Sequence, residues 1–292
     1  MKSSLIAGAA ASRAQAAIPD LSPIRIYLFN WCSNVSYDNI YIKGEVAAIT
    51  KQNEPGGVHH QHDKGYKLLL THKNTFIELL QSFVKEAWVN SIREDNLTRI
   101  DKSYILQDFS EKEADIVYQL QDKEKNIIFY VLLELQSEVD FLMPFRLLLY
   151  MVEIWRDFFN NTPRNERERK DFRLPCIIPA VLYNGAGKWT ACTDFRETQA
   201  GYQEFGKYPL DFRYILFDVN RYDERELYNL ANLIASIFIL DQKHDDVKDL
   251  KNRLWNLVNT LKKMTPAEFD AVKTWLKACI QTPFFPRHAS GY

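Results

Sequence analysis

Apolar positions in this chain follow two spacings, and the segments that carry them alternate. ADIVYQL (114–120) and IIFYVLLELQS (127–137) are dense in β-branched and aromatic residues, as strands are, and the polar run Gln121–Asn126 between them reads as a hairpin loop. LPCIIPAVLYNG (174–185) predicts a mostly buried strand ending at a turn, and FRYILFDVN (212–220) predicts another. Helical spacing falls between and around them. Leu69, Phe76, Leu79, Leu80 and Phe83 suit one or two helices that cover a sheet. Leu147, Tyr150, Met151, Ile154, Trp155 and Phe158 form a second stripe, with Pro144 in the first turn, where proline is tolerated. Helices alternating with strands in this order predict an α/β fold with a mixed sheet. NNTPRNERERKDFR (160–173) mixes charge signs around Pro163 and reads as a solvated loop.

The C-terminal third is helical in pattern. DERELYNLANLIASIFILDQ predicts one amphipathic helix capped by Asp223, with Leu227, Leu230, Ile234, Ile237 and Phe238 on one side. A second follows with Val247, Leu250, Leu254, Leu257 and Leu261, and a third is announced by Thr265, Pro266 and Glu268, which match N-cap, first-turn proline and capping box. Their apolar stripes are expected to pack on each other and on the core, or to join two copies in a homo-oligomer. At the other end, residues 1–57 show no clean periodicity, and the short stretch LIAGAAA, broken at Ser12 and Arg13, is weak as a secretory signal. The expectation for 1–57 is a disordered extension.

The hairpin brings candidate chemistry with it. Pairing Gln121 with Asn126 sets Asp115 opposite Leu132, and strand alternation then points Asp115, Glu134 and Gln136 to one face, with Glu134 one diagonal step from Asp115. A one-residue slip would turn Asp115 to the other face. In VLLELQ, Glu134 stands inside an apolar run, where an unpaired charge costs several kcal/mol. Its compensation is a cation held with Asp115, an ordinary salt bridge to Lys or Arg, or water if β-strand 127–137 lies at a solvated edge.

These residues also carry a family resemblance. HDKGYKLLL (62–70), ILQDFSEKEADIVYQL (105–120), YVLLELQSEVDFLMPFRLLLYMVEIW (130–155) and LPCIIPAVLYNG (174–185) resemble, in order and spacing, the Rpn family of recombination-promoting nucleases, whose members are also described as transposases with a PD-(D/E)xK nuclease domain. The resemblance runs from about His62 to the C-terminus. It implies a restriction-endonuclease-like core over 58–221, a mixed sheet flanked by helices, followed by a C-terminal helical region over 222–292. Asp115 takes the place of the first motif aspartate and Glu134 that of the second acidic residue, and Gln136 falls where the superfamily pattern has lysine. Asp63, just before the first predicted helix, is a further metal-ligand candidate, and Arg146 is a candidate phosphate contact, an ion pair being its plainer alternative. The chemistry implied is hydrolysis of DNA phosphodiesters with Mg²⁺ or Mn²⁺, hard cations that suit carboxylate ligands. Gln136 can hydrogen-bond a water but brings no charge.

Composition changes this picture little. The chain is 46% hydrophobic and 26% charged, ordinary for a folded protein, and its net charge of -1 means that any DNA contact rests on a local patch. Cys32, Cys176, Cys192 and Cys279 are too scattered for a zinc site and suit reduced thiols of a cytoplasmic protein, with Cys176 in an apolar run. His59, His60 and His62 beside Asp63 read as solvated histidines. No apolar run is long enough to span a bilayer, and neither a Gly-rich phosphate loop nor a GxSxG elbow is present. Three readings stay open: a metal-dependent DNA endonuclease tied to recombination or mobile elements, a non-catalytic DNA-binding or assembly protein on the same fold, and a toxin-like or phage-defence nuclease.

Overall fold

A computed structural model describes residues 59–100, 115–122, 127–243 and 247–280, so the expectation for 1–57 lies outside the described residues. Among the described residues, five strands form one sheet in sequential order: β1 (Leu97–Arg99), β2 (Ile116–Asp122), β3 (Ile127–Gln136), β4 (Cys176–Tyr183) and β5 (Ile215–Asp218). β1, β2 and β3 are antiparallel neighbours, whereas β4 and β5 run parallel to β3, so the sheet is mixed as expected. The parallel step from β3 to β4 requires a crossover, and α3 (Met143–Asn161) makes it.

β3 lies in the middle and is buried on both faces, which explains its nearly continuous apolar sequence. On one face, Val117, Tyr130, Leu132, Ile177 and Val181 pack with Met143, Leu147, Tyr150, Met151 and Ile154 of α3. The other face receives α1 (His59–Leu70) and α2 (Lys73–Phe83). Phe76 lies 4.2 Å from Tyr118, ring centre to ring centre, and the Tyr118 hydroxyl engages the carbonyls of Leu70 and Thr71 at 3.0 and 2.9 Å.

The other α-helices among the described residues are α4 (Arg164–Arg167), α5 (Glu224–Leu230), α6 (Leu233–Asp241), α7 (Val247–Leu261) and α8 (Pro266–Ile280). α4 is one exposed helical turn in the stretch read as a loop, started by Pro163 and closed by the Arg164–Glu168 pair. The helix expected from Asp223 onward is two helices. Asp223 caps α5 as predicted, but Ala231 adopts left-handed φ of 48° and Asn232 begins a new helix by accepting from the Ala235 N–H at 3.0 Å. Glu78 of α2 reinforces the break by accepting from the N–H groups of Leu233 and Ile234. Released from α5, α6 is buried on every side from Leu233 to Leu240 and belongs to the core, so its pattern is apolar all round and not amphipathic.

The capping box of α8 is present: Thr265 N–H donates to Glu268 at 2.8 Å, and Glu268 N–H donates to the Thr265 hydroxyl at 3.3 Å. α8 packs on α1, with the Trp275 and Tyr66 rings 6.0 Å apart and Gly65 against Trp275. Cys176, expected in an apolar environment, is the exposed first residue of β4, and Cys192 is likewise free and exposed. Among the described residues, no helix is long and apolar enough to cross a membrane.

Candidate functional site

The β2–β3 hairpin is tighter than its polar residues suggested. Asp122 pairs with Ile127 and Ile116 with Leu133, because Gln121 and Asp122 extend the strand instead of joining the loop. The register therefore moves by two residues, which preserves which face each side chain takes and sets Asp115 directly beside Glu134 instead of diagonal to it. Asp115 N–H donates to Glu134 Oε1 at 3.1 Å, and Leu135 N–H donates to Asp115 Oδ2 at 3.0 Å. Gln136 follows at the end of β3 on the same face, half-buried, and its carbonyl accepts from Asn184 N–H at 3.1 Å.

Two cations close around this pair. The guanidinium of Arg146 on α3 lies 3.1 Å from Glu134 Oε2 and 2.7 Å from Asp140 Oδ2. Lys67, in the last turn of α1, brings its ammonium to 3.5 Å from Asp115 Oδ1. Each of the four oxygens of Asp115 and Glu134 thus has a protein partner. Burial is uneven: the side chain of Glu134 is 1% exposed, Arg146 8%, Asp115 23% and Lys67 38%, so the site opens toward Asp115 and Lys67.

The electrostatics follow from crowding carboxylates in a dry place. Burial, then the charge of Asp115, pushes the Glu134 carboxyl up to about 8, against the pull of Arg146. Burial also raises Asp115, opposed by the Leu135 N–H and by Lys67. Three carboxylates (Asp115, Glu134 and Asp140) face two cations (Lys67 and Arg146), leaving one surplus negative charge among the described residues. A shared proton or a bound cation neutralises such a surplus. The Tyr150 hydroxyl is buried beside Arg146, and burial with Glu134 nearby pushes the tyrosine up to about 12.

The carboxylate pair fits a hard divalent cation, since Mg²⁺ is typically held by one or two carboxylates with water and phosphate completing its shell. No group of three or more His, Cys, Asp or Glu with metal-binding geometry occurs among the described residues. Asp63 falls inside α1 and not ahead of it, and its side chain, like those of His59, His60 and His62, lies outside the described residues. Arg146 is enclosed by carboxylates.

Lys67 and Asp140 were not singled out from the sequence. Asp140 had a visible signal: its Oδ1 accepts from Leu142 N–H at 2.9 Å just ahead of α3, an Asx-type turn before a helix. Lys67 had none, because helical spacing does not say which end of a sheet a side chain reaches.

A mixed sheet flanked by helices, with an acidic pair at the end of its central hairpin, defines an α/β protein. The family model described as "Putative transposase, YhgA-like" matches residues 60–270, and the chain belongs to that family. It is also 24% identical over 134 residues to a protein named Recombination-promoting nuclease RpnD, from Escherichia coli O157:H7. That match covers 45% of this chain and 49% of the relative, about half the relative's length. No solved structure matches the chain.

Proposed function

We propose that this chain is a divalent-metal-dependent DNA endonuclease with a restriction-endonuclease-like core, acting in recombination or on mobile elements. The observation that carries this reading is the direct pairing of Asp115 with Glu134 across β2 and β3, with its surplus negative charge. The family and the name of the relative support it.

Asp115 and Glu134 would hold Mg²⁺ or Mn²⁺, with Asp63 a further candidate ligand. When bound, the ion supplies Lewis acidity and lowers the pKa of a water. The remaining work belongs to the chain. Arg146, fixed by Asp140, holds the Glu134 carboxylate in place, and Gln136 orients the attacking water by hydrogen bonding. The water oxygen bonds to phosphorus as the phosphorus–oxygen ester bond breaks. The leaving alkoxide takes up a proton, and the water's own proton passes to solvent.

One observation favours a second reading, a non-catalytic DNA-binding or assembly protein: all four oxygens of the acidic pair already have protein partners, and Gln136 is neutral. Supercoiled-plasmid cleavage by the purified chain in Mg²⁺, Mn²⁺, Ca²⁺ or EDTA, beside Glu134→Ala, separates the two. The endonuclease requires cleavage in Mg²⁺ or Mn²⁺ that EDTA and the substitution both abolish. A folded protein that binds DNA and never cuts it supports the second reading. A toxin-like or phage-defence role uses the same chemistry and shows in growth under controlled expression.

A further inference from the structure

Phosphodiester hydrolysis builds negative charge on the phosphate oxygens, and Gln136 brings none of the opposite sign. Among the described residues, two cations touch the acidic pair. The side chain of Arg146 is 8% exposed and its guanidinium is shared between Glu134 and Asp140, so moving it to a substrate would strand two carboxylates. Lys67 differs in each respect. Among the described residues its one ion-pair contact, to Asp115, is 3.5 Å long, outside the usual range for a charge-assisted hydrogen bond, and its side chain is 38% exposed at the open end of the site.

The backbone that carries Lys67 is nevertheless held firmly. Tyr66 donates to Asp241 at 2.7 Å, Gly65 abuts Trp275, and the Tyr118 hydroxyl engages the carbonyls of Leu70 and Thr71. A fixed helix with a long, half-exposed lysine places a compact charge within reach of a ligand while the anchor stays still.

We infer that Lys67 is the side chain that contacts a non-bridging oxygen of the scissile phosphate, supplying from α1 the charge that Gln136 lacks on β3. This rests on the endonuclease reading. It forms and breaks no covalent bond; the ammonium keeps its protons and exchanges Asp115 Oδ1 for a phosphate oxygen as its close partner.

The test uses the full chain with Lys67→Gln, Lys67→Arg and the double substitution Lys67→Gln with Gln136→Lys. Plasmid cleavage is followed in Mg²⁺, and binding of a fluorescein-labelled DNA duplex in Ca²⁺ across a salt series. Lys67→Gln is expected to lose roughly 100-fold in cleavage and to lower the salt slope of binding by about one. Lys67→Arg keeps the slope, and the double substitution recovers part of the cleavage, which a purely structural role for Lys67 would not allow. Thermal melting verifies that each variant is folded. Wild-type cleavage and slope in a folded Lys67→Gln would overturn the assignment while leaving the endonuclease reading intact. A wild-type chain that never cuts DNA removes both.

Discussion

Asp115 and Glu134 face each other across two antiparallel strands, and the backbone N–H of Asp115 donates to the Glu134 carboxylate at 3.1 Å. Each acidic residue is thus held by the other's strand, since Leu135 N–H returns a bond to Asp115 at 3.0 Å. Such reciprocal anchoring fixes two like charges side by side, an arrangement that needs a counter-charge.

If this pair holds the proposed divalent cation, removing either carboxylate removes cation binding. Mg²⁺ or Mn²⁺ is expected to raise the melting temperature of the wild-type chain, by an amount equivalent to about 2.7 kcal/mol at roughly 100 times Kd. Asp115→Asn and Glu134→Gln are expected to lose that shift. Differential scanning calorimetry with and without metal measures it, and an equal shift in both variants would place the cation elsewhere.

Arg146 holds Glu134 in a buried position, so Arg146→Met leaves a carboxylate without its main partner. The expected loss is about 3–5 kcal/mol in urea unfolding. Combining it with Glu134→Leu removes both charges and should recover most of that stability. A double variant as unstable as the single one would show that packing of the arginine stem matters more than its charge.

The proton on the acidic pair predicts a pH dependence. Because Glu134 is raised from 4.5 to about 8, the folded chain retains a proton that the unfolded chain releases over that window. The associated stability is fully present below about 4.5 and is lost as the pH rises through about 8; Asp115, also raised, acts in the same direction. Melting temperature in EDTA should fall across this range, and Glu134→Gln should flatten the fall. An equally steep decline in the variant would trace the effect to other groups.

Gly65 couples α1 to α8. A Cβ there would lie 2.8 Å from Trp275 Cδ1 and 3.3 Å from its Cα, too close without displacing the tryptophan or the helix. Gly65→Ala is expected to destabilise by about 1–3 kcal/mol through overpacking. Urea unfolding followed by circular dichroism measures the loss.

The sequence by itself determined that Asp115, Glu134 and Gln136 share a face, because strand alternation has period two and survives the two-residue change in register. It also determined that Glu134 needs compensation, since VLLELQ sets it in an apolar run, and that Thr265 and Glu268 start a helix, since a capping box is local. Only the tertiary structure decided that Asp115 and Glu134 meet directly, since turn length depends on how far the strands continue to pair. It likewise decided that the helix expected from Asp223 breaks at Ala231, where Glu78 on another helix caps the new N-terminus. Lys67 and Arg146 reach the acidic pair from helices packed on the sheet, and such long-range contacts leave no periodic trace along the chain.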